Sequence, residues 1–165
     1  MCASPHRYSD GCEKINNMLY LIIPSIRSSH NVGSIFRTAD AFGVTKIFLC
    51  GYTPCPPNPR LDKVSLGAEK TVPWEYCKDA WRTVEKLKKE GVQIVAAELT
   101  KKSVDYRTWK PKSPVALIFG NEVEGVPPAL LKRADITVHI PMMGHKESLN
   151  VSVAAGILCA YARMK

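Results

Sequence analysis

Short apolar runs alternate with amphipathic stretches from residue 18 to the end of the chain. Met18-Leu-Tyr-Leu-Ile-Ile-Pro24 is an apolar run closed by proline and predicts a buried strand. Ser25 to His30 is a polar loop that carries Arg27. Val32, Ile35, Phe36 and Ala39 then recur at the i, i+3, i+4, i+7 spacing of a helix, with Asn31 placed to cap it and Gly43 to stop it. Lys46–Cys50 predicts the next strand. Residues 51–62 hold Pro54, Pro56, Pro57 and Pro59 and predict a loop. Residues 61–74 show no clear period. A helix is expected over 78–90, ended by Gly91, then a strand over 92–97. A loop with one helical turn follows over 98–113, and a strand over 115–119. A turn over 120–126, a short helix over 127–133 and a strand over 136–140 complete the alternation.

Strands and helices in this order predict an α/β fold built on a parallel sheet with helices on both faces. Such sheets bind ligands beyond the carboxyl ends of their strands. The last helix departs from the usual one-sided pattern. After Ser148, which can cap it, Val151, Val153, Ala154, Ala155, Ile157, Leu158, Cys159, Ala160 and Tyr161 go almost all the way round. A helix apolar on so many sides is expected in the core and against a second subunit.

Composition narrows the function classes. At 165 residues and 45% apolar content the chain reads as one globular domain over 18–165, preceded by a flexible lead-in over 1–17. No run reaches the roughly 20 apolar residues that span a bilayer, and residues 1–17 lack a signal-peptide core, so a cytoplasmic protein is expected. The formal charge of +8 favours a polyanionic partner. The six cysteines form no C-x-x-C pair, which points away from a metal site. Cys50 and Cys159, inside apolar runs, read as small core residues.

Three polar clusters each follow a predicted strand and should converge on one edge of the sheet. The first is Asn31-x-Gly33-x-x-x-Arg37, with Gly33 and Arg37 opposite the apolar face and Gly33 clearing space for Arg37. The plain alternative is an exposed Arg37–Asp40 pair. The second is Gly120-Asn-Glu122-Val-Glu-Gly125. It lacks the glycines and lysine of a phosphate cradle, and its carboxylates would repel phosphate, so it suits a ligand that is cationic or free of phosphate. The plain alternative is an ordinary acidic turn. The third is Ser148-Leu-Asn150, whose plain alternative is helix capping.

Taken together, Asn31-x-Gly33-x-x-x-Arg37-x-Ala39, Phe119-Gly-Asn-Glu122-x-x-Gly125 and Ile140-Pro-Met-x-Gly-x-x-x-Ser148-Leu-Asn150-Val resemble, in order and spacing, the three motifs of the SpoU/TrmH branch of the SPOUT RNA methyltransferases. The likeness runs from about Tyr20 to Tyr161 and includes Leu66-Gly-Ala-Glu69. It implies a parallel-sheet SPOUT fold with a C-terminal deep trefoil knot, S-adenosyl-L-methionine as cofactor, no metal, and a homodimer formed through the C-terminal helix. The implied reaction transfers a methyl group to a ribose 2′-hydroxyl of RNA, with tRNA favoured over rRNA because many rRNA-directed members carry an extra N-terminal domain. By position, Leu99, Gly120, Ile140 and Leu149 would hold the cofactor. Arg37, Glu122, Ser148 and Asn150 would form the catalytic group, and Arg27, Asn31 and Arg37 would meet RNA. Asn150 would position Arg37 or the backbone near the methyl donor.

Arginine is a poor proton acceptor near neutral pH, so Arg37 is expected to act as a clamp on the developing alkoxide, with water or a phosphate oxygen taking the proton. His30 and His145 flank two motifs as rival bases. The alternative reading is a protein of the same fold that grips RNA without methylating it.

Overall fold

The computed structural model describes residues 18–164; the lead-in expected over residues 1–17 lies outside them. Among the described residues the strands are β1 (Leu19–Pro24), β2 (Lys46–Cys50), β3 (Trp74–Cys77), β4 (Gln93–Ala97), β5 (Val104–Asp105), β6 (Val115–Phe119) and β7 (Ile136–His139). The helices are α1 (Ser29–Ala41), α2 (Pro59–Ser65), α3 (Ala68–Thr71), α4 (Ala80–Lys89), α5 (Pro128–Leu131) and α6 (Val151–Met164). The strands form one sheet in the order β3-β2-β1-β6-β4-β7-β5, and every pairing is parallel.

The two-residue period of the strands divides their side chains between two cores. Leu21, Ile23, Ile47, Leu49, Leu117 and Phe119 pack with α1 and α6 on one face. Ile22, Phe48, Ile94, Ile118 and the α4 residues Val84 and Leu87 pack on the other. Both faces are covered, which is why these strands read as unbroken apolar runs. Burial pushes the Cys50 and Cys159 thiols up to about 12, as fits small core residues. No described helix is long and apolar enough to cross a membrane.

In-register parallel pairing brings the strand ends to one edge. Ile23 lies beside Leu49, Ile22 beside Ile118, and Ala97 beside both Phe119 and Val138. The loops beyond that row therefore start level with one another. Thr53 ties two of them together. Its hydroxyl accepts the Ile26 N–H at 3.1 Å and shares its hydrogen between the carbonyls of Ile23 (2.9 Å) and Cys50 (2.8 Å). Thr53 is 4% exposed, so Thr53→Val strands a buried donor and should cost about 2 kcal/mol. A thermal melt should show a midpoint lower by about 5 °C; an unchanged midpoint would mean water replaces the hydroxyl.

Several local expectations need correction. The stretch expected to be all loop, and the unplaced stretch after it, hold α2 and α3. β3 and β5 also went unpredicted: β3 is a short strand at the sheet's edge with two exposed side chains, and β5 has two residues. The cap of α1 is Ser28, whose side chain accepts the Asn31 N–H at 3.2 Å. Asn31 thus sits inside the helix, with its side chain free for other work. Gly33 does not clear space for Arg37. It is buried against α2, where a Cβ would fall 2.7 Å from the Leu61 carbonyl oxygen and 2.9 Å from the Val64 Cβ. Asn150, not Ser148, caps α6: its Oδ1 accepts the Ser152 N–H at 2.9 Å.

Candidate functional site

The turn after β6 is fixed by its own backbone. Asn121 and Gly125 exchange N–H···O bonds, both 3.1 Å. The Asn121 Oδ1 accepts the N–H groups of Val123 (2.9 Å) and Glu124 (2.7 Å). From the neighbouring strand end, Glu98 Oε2 accepts the Val126 N–H at 2.8 Å. The left-handed conformation of Gly125, at φ +68°, lets the chain pass this carboxylate, since a Cβ there would meet Glu98 Oε2 at 2.2 Å. Glu98 was missed in the sequence reading. Its position directly after β4, on the ligand-binding edge, is the signal that points to it.

Glu122 projects from this turn toward α1. Its Oε1 accepts the Asn31 Nδ2–H at 2.8 Å, and Asn31 Oδ1 accepts the Asn150 Nδ2–H at 3.1 Å. One member of each sequence cluster thus joins a carboxylate–amide–amide chain, across sequence separations of 91 and 119 residues. Asn31, 8% exposed, is its centre. An acceptor carboxylate makes the first link a charge-assisted bond. Asn150 is held by Asn31 and by its own cap bond to α6. Asn31, expected to meet RNA, spends its side-chain amide on Glu122 and Asn150.

Glu122 and Asn150 border a cavity of about 530 Å³, within the roughly 300–1,000 Å³ usual for small-molecule sites. Leu99, Gly120, Ile140 and Leu149 line it, as do Glu122, Ser148 and Asn150. Phe119, Val138, Met142 and Leu158 add apolar wall. Glu98, Glu122 and Glu147 put three carboxylates on the lining, which has no lysine or arginine. In a chain of formal charge +8 that is an inverted local field. His139 also lines the cavity, with Nδ1 3.0 Å from the Ser103 hydroxyl. Neither His30 nor His145 does. Among the described residues no cluster of His, Cys, Asp and Glu is arranged to hold a metal ion.

Arg37 and Arg27 lie outside the lining. Arg37 is exposed on α1, and its side chain makes no hydrogen bond or ion pair among the described residues. The alternative, an Arg37–Asp40 pair, does not form among the described residues; Asp40 accepts from the Thr71 hydroxyl at 2.9 Å. Arg27 lies over the Tyr52 ring, its guanidinium carbon 6.0 Å from the ring centroid.

Comparison with known proteins puts this geometry in context. The sequence model of the SpoU rRNA Methylase family matches residues 18–160. The 23S rRNA (guanosine-2′-O-)-methyltransferase RlmB of Neisseria meningitidis serogroup B is 36% identical over 145 residues, covering 88% of this chain and 58% of that protein. The tRNA (guanosine(18)-2′-O)-methyltransferase of Aquifex aeolicus is 35% identical over 156 residues, covering 92% of this chain and 72% of that protein. An AdoMet-bound rRNA methyltransferase from Sinorhizobium meliloti superposes with a TM-score of 0.84 at 34% identity, over 90% of this chain and 57% of that one. The chain thus spans a little under three fifths of both the Neisseria and the Sinorhizobium proteins.

Proposed function

The chain belongs to the SpoU rRNA Methylase family, and from that premise we propose that it is an S-adenosyl-L-methionine-dependent methyltransferase acting on a ribose 2′-hydroxyl of RNA. The observation that carries this reading is the acidic cavity. A ligand held by Glu98, Glu122 and Glu147 against apolar walls is favoured if it is cationic and free of phosphate, which describes a sulfonium cofactor. When bound, that cofactor supplies an activated methyl group, so the protein's remaining task is mainly positioning. The backbone at Gly120, Ile140 and Leu149, with Leu99 at the rim, would hold it. Asn31, Glu122 and Asn150 keep the two loops that form the mouth at a fixed separation, with Ser148 beside them.

Arg37 is the residue to stabilise the alkoxide, and it reaches the cavity from a second copy of the chain. Two observations support a homodimer. Arg37 is a cation on α1 without a partner among the described residues, and α6 leaves Val153 48% exposed with Ile157 and Ala160 only partly covered. The C-terminal segment is proposed to thread as the family's trefoil knot. The insertion of β6 between β1 and β4, and of β7 between β4 and β5, supports that path. The site of action is proposed to be the cytoplasm, where tRNA and rRNA are available.

The test has two readouts. Equilibrium titration should show saturable binding of S-adenosylmethionine. Tritiated methyl groups should pass to bulk tRNA, the substrate class named for the Aquifex relative, in preference to rRNA, and the label should appear in alkali-resistant dinucleotides. That resistance follows because a methylated 2′-oxygen cannot attack the adjacent phosphate. Label in mononucleotides would indicate methylation of a base, and cofactor binding with no transfer would favour an RNA-binding protein of this fold.

A further inference from the structure

Resting on the methyl-transfer reading, we propose that Tyr52, backed by Arg27, is a stacking platform for a base of the RNA strand whose ribose enters the cavity. Tyr52 follows β2 by two residues, at the same edge where β6 delivers Gly120 and Glu122. β1 alone separates β2 from β6, so the two strand ends lie roughly 10 Å apart. That is about the reach from a ribose in the cavity to a base of the same strand.

The ring stands open on a stiff mount. Tyr52 is 56% exposed, yet both its neighbours are fixed. The Gly51 N–H bonds to the Cys77 carbonyl at 3.1 Å, and Thr53 is held by the buried bonds described above. Its own exposed ring therefore adds little to the fold, while the loop holds it in one place. Arg27 comes from the β1–α1 loop, which Thr53 ties to this one. Its guanidinium carbon lies 6.0 Å from the Tyr52 ring centroid, and contact with Tyr52, then the charges of Glu124 and Glu122, raise its pKa further. An aromatic face beside a guanidinium is the pairing that takes a base by stacking and its phosphate by charge. The cavity itself has no positive side chain to do either.

The chemistry predicts different signatures for the two residues. Filter binding and methyl-transfer kinetics with bulk tRNA should show Tyr52→Ala raising Kd and KM about tenfold, from loss of one stacked base. Its kcat and its affinity for S-adenosylmethionine should stay within about twofold, and Tyr52→Phe should behave as wild type, since stacking needs only the ring. The slope of log K against log salt should be unchanged in Tyr52→Ala and shallower by about 0.7 to 0.9 in Arg27→Ala, one phosphate contact. Tyr52→Ala binding tRNA as tightly as wild type would overturn the platform, and so would Tyr52→Phe as weak as Tyr52→Ala. Wild-type protein that binds tRNA without transferring methyl would remove the methyl-transfer reading, while the tRNA affinity of Tyr52→Ala would still decide the stacking.

Discussion

Arg37→Ala is expected to lower methyl transfer to RNA by about 10²–10³-fold, the usual effect of removing one donor aimed at a developing oxyanion, with the affinity for S-adenosylmethionine unchanged. Arg37 lies six residues beyond Asn31 on α1, which places it about 9 Å further along the axis and about 120° round it. Asn31 touches Glu122 and Asn150; from its own position Arg37 is directed away from them. On the proposed reading a second copy brings the guanidinium to the mouth, and mixed dimers test this. Arg37→Ala and Asn150→Ala proteins should each be inactive alone. If the two residues act across the dimer, a mixed dimer has one site with both residues intact and one with neither. Random exchange of equal amounts should then restore about a quarter of wild-type activity. If they act within one chain, every site in the mixture stays defective and nothing is restored. Arg37→Lys should remain well below wild type, because a lysine lacks the planar fork that holds an oxyanion at two points.

The parts of this arrangement that were legible in the sequence are those with a local period. β1, β2, β4 and β6 are buried on both faces and show as apolar runs, and Val32, Ile35, Phe36 and Ala39 mark the inner side of α1 as expected. What could not be read depends on distant partners. Asn31 has the chemistry of a cap, and only the approach of Glu122 and Asn150 turns it into the hinge of the site. Gly33 falls on the polar side of a helical wheel, yet α2 packs there, and nothing in the spacing of α1 announces α2. Glu98 is one carboxylate at the end of a strand until the turn after β6 is laid against it. Trp81 fits the period of α4 but stays partly exposed, between the guanidinium groups of Arg82 and Arg133, because the flat ring finds cations at the surface instead of a place in the core.

Gly120→Ala should abolish cofactor binding and destabilise the protein by about 3 kcal/mol, the upper part of the range for overpacking. A Cβ on Gly120 would lie 2.2 Å from the Gly125 carbonyl carbon, 2.3 Å from the Val126 nitrogen and 2.6 Å from the Gly125 Cα. All three are backbone atoms, so no side-chain rotation relieves the clash. The turn would have to move away, and its bonds oppose that. The paired Asn121–Gly125 hydrogen bonds, the two donors on Asn121 Oδ1 and the Glu98–Val126 bond would break or stretch together. Glu122 rides on the same turn, so its bond to Asn31 would go too, and with it the link to Asn150. One methyl group should thus empty the cavity of its ligand and loosen the approach of α1 to α6, lowering the thermal midpoint by about 9 °C. Gly120→Ala with a wild-type midpoint and full cofactor affinity would show that the turn yields freely, and the rigid mouth on which the positioning mechanism depends would have to be given up.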